Sequence, residues 1–208
     1  MRSRKFILAT LLILIFASSA VAQKQAPPEA KTVSQVLEFW ISDTERLVVP
    51  AAKAMPQAKY SFAPTNGEFQ GARTFAEQVK HLASANYQLG AGALGEHPPA
   101  GTQDESAPPS VHSKAEIVEY LKGSFACLHR AAAAINEKNM NEPIAAKGGR
   151  TRMWLLIDAV AHSSNHYGQM VEYLRMNGIV PPESLKRSLI HFSRAKSRFK
   201  TVVQSSGE

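Results

Sequence analysis

Between Thr32 and Asn177 the apolar residues return every three or four positions, and no run alternates with period two for long enough to make a strand. That period restricts the chain to helices. Val36, Leu37, Trp40, Ile41, Leu47 and Val48 predict a first helix from about Thr32 to Ala54, with Pro50 near its end or kinking it. Thr74 with Glu77, and Ser113 with Glu116, have the spacing of capping boxes, in which each end satisfies a backbone N–H of the other. The first box opens a helix with Phe75, Gln78, Val79, Leu82, Ala85 and Leu89 on its buried stripe, running to about Gly95. The second opens a helix through Ile117, Tyr120, Leu121, Phe125, Leu128 and Ala132 to about Ile135. A fourth helix is predicted from Thr151 to Asn177, stopped by Gly178 in the left-handed conformation and by Pro181 and Pro182. Loops rich in proline and glycine separate these segments. Four helices without strands bury their stripes only against one another, so the expectation is an all-α four-helix bundle over residues 32–182.

The two ends have different compositions. Arg2, Arg4 and Lys5, the apolar run from Phe6 to Phe16 and the Ala20-Val21-Ala22 site predict a cleaved signal peptide over residues 1–22, and with it a periplasmic or secreted protein. The apolar run is too short to span a bilayer, which takes about 20 residues. Residues 23–31, with Pro27 and Pro28, are expected to be a flexible lead-in. Cleavage removes three cations and no acid, so the formal charge of +7 falls to +4. A core this near neutrality lacks the electrostatic footprint of a nucleic-acid binder. Residues 183–208 are expected to form a basic helical extension, with Leu185, Leu189, Phe192, Phe199 and Val203 on one side and Lys186, Arg187, Arg194, Lys196, Arg198 and Lys200 on the rest. This amphipathic pattern suits packing on its own bundle, a partner, or weak contact with an anionic membrane surface.

Cys127 is the sole cysteine, so neither an internal disulfide nor a cysteine-rich zinc module can form, and the seven histidines are the soft ligands present in number. His162 and His166 are one turn apart on one face of the fourth helix, where both imidazoles can reach a single ion. They continue the inward stripe Leu155, Ala159, His162, His166, Met170 and Tyr173. His81, near the middle of the second helix at the border of its apolar stripe, is the candidate third ligand. On spacing alone, two hydrogen-bonded core histidines would give the same pattern.

The run Asp158-Ala159-Val160-Ala161-His162-Ser163-Ser164-Asn165-His166-Tyr167-Gly168-Gln169-Met170, continuing from Tyr173 to Pro182, resembles the last core helix of the DinB/YfiT-like family of putative metalloenzymes. Phe75 to Leu82 resembles the family's second-helix motif with its histidine, and Tyr60-Ser61-Phe62-Ala63-Pro64 the segment before it. The resemblance covers roughly Val33 to Pro182. It implies an up-down-down-up bundle and a divalent metal, zinc or nickel, held by His81, His162 and His166. It also implies thiol-dependent transfer or isomerisation as a reaction class, beside members without a known activity.

Three neutral imidazoles leave an ion its charge and an open position, as in catalytic rather than structural sites. Asp158, one turn before His162, is either the acceptor for a ring N–H or a solvated carboxylate. Gly168 reads as a site of close helix packing, Cys127 as a small core residue, and Trp40 and Trp154 as core aromatics. Asn165 and Tyr167 flank the motif without needing to face inward, and His97, His112, His129 and His191 are non-ligands. Two function classes follow: a metal-dependent enzyme, hydrolytic or thiol-transferring, on a small-molecule substrate, and a non-catalytic module that holds a metal or small ligand. Either is compatible with a monomer or a homodimer.

Overall fold

The computed structural model describes residues 31–65, 71–103 and 106–186. The signal peptide, all of the lead-in but Lys31, and the basic extension beyond Lys186 lie outside the described residues. Four long helices form: α1 (Val33–Ala54), α2 (Phe75–Leu94), α3 (Lys114–Ala134) and α4 (Arg152–Met176). The predicted capping boxes at Thr74/Glu77 and Ser113/Glu116 are both present, and Thr32 with Gln35 makes a third. Each box pairs two backbone donors that a helix start would otherwise leave unpaired. Helix α1 runs through Pro50, and α2 and α4 are followed by Gly95 and Gly178, both with positive φ. The expectation of no strand needs one small correction. Pro143–Ile144 (β1) pairs antiparallel with Arg150–Thr151 (β2), a two-residue ladder that closes the turn before α4.

Cross-links between helices give the direction of each. Ser34 Oγ donates to the Ala132 carbonyl at 2.7 Å and Lys114 Nζ to the Lys53 carbonyl at 2.7 Å, so α1 and α3 run antiparallel. Ser84 meets Tyr120 at 3.0 Å and Glu96 meets Arg130 at 2.9 Å, so α2 and α3 run parallel. Gln78 meets Gln169 at 2.6 Å and Arg152 donates to the Ala93 carbonyl, so α2 and α4 run antiparallel. The bundle is therefore up-down-down-up, with α1 and α2 each packed against both α3 and α4. Buried Ile41, Phe75, Leu82, Leu121, Phe125 and Leu155 bring all four helices into one core. Each such side chain contributes about 1.5–3 kcal/mol by leaving water, before the entropy of ordering is subtracted.

An ionic bridge adds to the α1–α3 contact. His129 places Nδ1 2.9 Å from Glu38 and Nε2 2.9 Å from Glu45. Burial lowers the imidazole pKa, but the hydrogen bonds to the two carboxylates outweigh it, and the net shift is upward.

Several core assignments change. Trp40 and Trp154 are 51% and 42% exposed. The buried face of α1 follows Leu37, Ile41, Thr44 and Val48, which leaves Trp40 at its edge, against Phe39. Trp154 carries the Arg150 guanidinium over its ring at 4.5 Å, a cation–π contact that suits a half-exposed indole. Gly168 is not a close-packing site, since a Cβ there would meet nothing within 4 Å. Close approach occurs instead at Gly90, where a Cβ would lie 3.0 Å from the Cys127 sulfur; Cys127 is buried, as expected of a small core residue.

Candidate metal centre

The antiparallel register of α2 and α4 assembles the centre. Gln78 reaches His166 and Gln169 on one side, and two turns further along α2 Asn86 accepts from Ser163 Oγ at 3.0 Å. These contacts bracket His81 and set it opposite the His162/His166 turn. All three predicted ligands come together: one nitrogen from each of His81, His162 and His166 lies within 4.8 Å of the others. Ring centroids are 5.2 Å apart for His81 and His162, 4.8 Å for His81 and His166, and 4.2 Å for His162 and His166. His81 and His166 are buried, and His162 is half-buried, which places the centre at the wall of the bundle with one side towards solvent.

Two nitrogens bound tetrahedrally to one zinc at about 2.0–2.1 Å stand about 3.3 Å apart. His162 Nε2 and His166 Nε2 are 2.9 Å apart, so a shift of a few tenths of an ångström brings this pair to the spacing of two ligand atoms. The protonation state also fits. Burial, followed by the neighbouring His162, His81 and Arg73, pushes the His166 pKa down to about 3. The ring is then neutral at ordinary pH, the form in which imidazole binds metal. The residues present fit a divalent cation with borderline-soft preference, and among the described residues three ligands of a usual four or more come together.

The surroundings revise the expected supporting groups. His166 Nδ1 faces the Gln78 side chain at 2.6 Å, so Asp158 is not the partner of that ring nitrogen. Gln78 is buried, and the sequence marks it only as one member of the apolar stripe of α2. Its signal in the sequence was a long amide on that stripe, three residues before a histidine. Gln169 is exposed and bridges Gln78 to Asn165, while Tyr167 packs partly buried against the core. His97 and His112 lie outside the centre, and His129 makes the ionic bridge between α1 and α3, so these three are not members of it; His191 lies outside the described residues.

The model of the DinB superfamily matches residues 40–170, a span that contains all three histidines. No curated protein matches the chain. Among solved structures, a conserved protein from Enterococcus faecalis superposes with a TM-score of 0.56 at 18% identity, covering 70% of this chain and 97% of that one. An uncharacterised protein from Escherichia coli UTI89 superposes with a TM-score of 0.57 at 13% identity, covering 72% of this chain and 97% of that one. At such identities the likeness speaks for the fold alone. With the family match across more than half its length and the same fold in both structures, this chain belongs to the DinB superfamily.

Proposed function

We propose that this protein is a metalloenzyme in which His81, His162 and His166 hold one divalent ion, zinc or nickel, and leave a coordination position open to a small-molecule substrate. The observation that carries the reading is the convergence of three imidazole nitrogens from α2 and α4 within 4.8 Å. A divalent ion in such a place lowers the pKa of a bound water or thiol, and so supplies a nucleophile at neutral pH. The chain's own part is to keep the three rings converged and hold them partly away from water.

The same proposal puts the protein outside the cytoplasm, in the periplasm or secreted, because residues 1–22 have the order of a cleaved leader. A mature N-terminus at Gln23 in the exported fraction supports this, and an intact Met1 in the soluble cell contents contradicts it. One observation favours holding a metal without turnover. The side chains that cross-link around the trio, Gln78, Gln169 and Asn165, are amides rather than acids or bases.

A thiol separates the two readings. With cobalt(II) bound as a spectroscopic probe, adding a low-molecular-weight thiol is expected to produce a thiolate-to-cobalt charge-transfer band. In the zinc or nickel form, the same thiol is expected to be transferred to a reactive electrophile faster than in His162→Ala. A band without transfer supports the holding role. The absence of both the band and the transfer contradicts an open position for thiol.

A further inference from the structure

A groove of about 370 Å³ runs between the N-terminal halves of α1 and α4, lined by Val36, Leu37, Trp40, Met153, Ile157 and Val160. Its rim is apolar and faces solvent. Val36 is 41% exposed, Trp40 51% and Ile157 52%, and together on facing helices they make a continuous patch, the kind that marks an interaction surface.

The chain itself heads for this groove where its description ends. Helices α1 and α4 run in the same direction, and Lys59, just past α1, donates to the carbonyl of Asn177, just past α4, at 3.2 Å. Both helices therefore finish at the same end of the bundle. From there the chain turns at Gly178 and the two prolines, and Glu183 meets Arg46, well back inside α1, at 2.7 Å. It has reversed and descends antiparallel to α1 and α4. Arg46 points away from the buried face of α1 and is also held by Asp43, so Glu183 lies on the outward side of the last described turn. Two residues on, Leu185 lies about 160° further round a helix and so on the inward side.

Beyond Lys186 the sequence has residues 187–208, in which Leu189, Phe192, Phe199 and Val203 continue from Leu185 at helical spacing, with Arg187, Arg194 and Arg198 on the opposite side. At a rise of about 1.5 Å per residue, those residues span about 33 Å as a helix, and Arg46 to Val33 is about 20 Å. The length suffices. Counting down from the Glu183–Arg46 pair at equal rise brings Leu189 level with Trp40 and Phe192 level with Leu37. Lys196, the one cation on the apolar side, comes level with Val33 at the foot of the groove, where a long side chain reaches water.

We propose that residues 187–208 fold back as a fifth helix into the α1–α4 groove, with Leu189 and Phe192 seated against Trp40, Leu37 and Ile157 and the arginines outward. The inference does not depend on the metal centre.

The test uses the mature chain, Gln23 to Glu208, with Trp154→Phe so that Trp40 is its one tryptophan. Trp40 emission is expected to be blue-shifted and resistant to acrylamide quenching at every protein concentration. Leu189→Asp with Phe192→Asp leaves the four helices their own residues, and is expected to shift the emission to the red and raise quenching. Val203→Asp, which falls below Val33 on the same count, is expected to change neither. Unchanged Trp40 emission and quenching in the double variant, or an equal effect from Val203→Asp, overturns the proposal. Protection that grows with protein concentration alongside a dimer mass in sedimentation also overturns it, and puts a second copy in the groove. Protection that appears only on adding vesicles of anionic phospholipid overturns it in favour of a membrane surface.

Discussion

Replacing His162 or His166 by alanine is expected to abolish stoichiometric metal binding while leaving the helical circular dichroism spectrum nearly intact. Two ligands on different helices hold an ion far less tightly than three, and the loss should exceed the roughly 10- to 100-fold cost of removing a supporting group. The fold should survive because the core around Leu82, Phe125 and Leu155 does not depend on these rings. His81→Ala should behave in the same way. His97→Ala, on the loop after α2, serves as the control and should bind one ion per chain. Retention of a tight ion in His81→Ala would mean that the pair on α4 is completed by another group, with half-buried Asp158 the first to examine.

Phe75→Ala has the opposite profile, a large loss of stability with no loss of ligands. Phe75 is the first residue of α2 and fully buried, edge-on to Tyr60 at 5.3 Å and tilted against Tyr173 at 6.4 Å. Removing a buried phenylalanine leaves a cavity and costs about 3–5 kcal/mol. For a domain of this size, each 1 kcal/mol shifts the melting temperature by about 2–4 °C. Thermal and urea melts should report the loss, and molecules still folded should carry metal as the wild type does. A variant that melts normally but has lost its metal would place Phe75 in the site rather than in the core.

The features legible in the sequence were those set by local chemistry. Thr74 with Glu77 and Ser113 with Glu116 satisfy backbone donors three residues away, so they mark helix starts before any tertiary contact is known. His162 and His166 are fixed relative to each other by one helical turn. His81 could be named because it alone stood mid-helix on another core element and matched the family motif. Features that depend on how one helix lies against another were not legible. Trp40 matched the apolar period yet sits at the edge of the buried face of α1, because small differences in helix rotation decide which neighbour a border residue meets. Gly168 looks in the sequence like a close contact but faces open space, while α2 and α3 approach closely at Gly90 and Cys127. Gln78 shows the same limit at the centre itself. Its stripe position predicts burial, but its contact with His166 Nδ1 arises from the register between α2 and α4, which sequence periodicity does not encode.

Zinc titration of the metal-stripped mature chain, followed by calorimetry and by elemental analysis after dialysis, tests the metal centre most directly. The expected result is one ion per chain in the wild type, retained through dialysis, and none retained once His81, His162 and His166 are all replaced. Absence of saturable binding in the wild type, or an unchanged stoichiometric ion in the triple variant, would contradict the three-histidine centre.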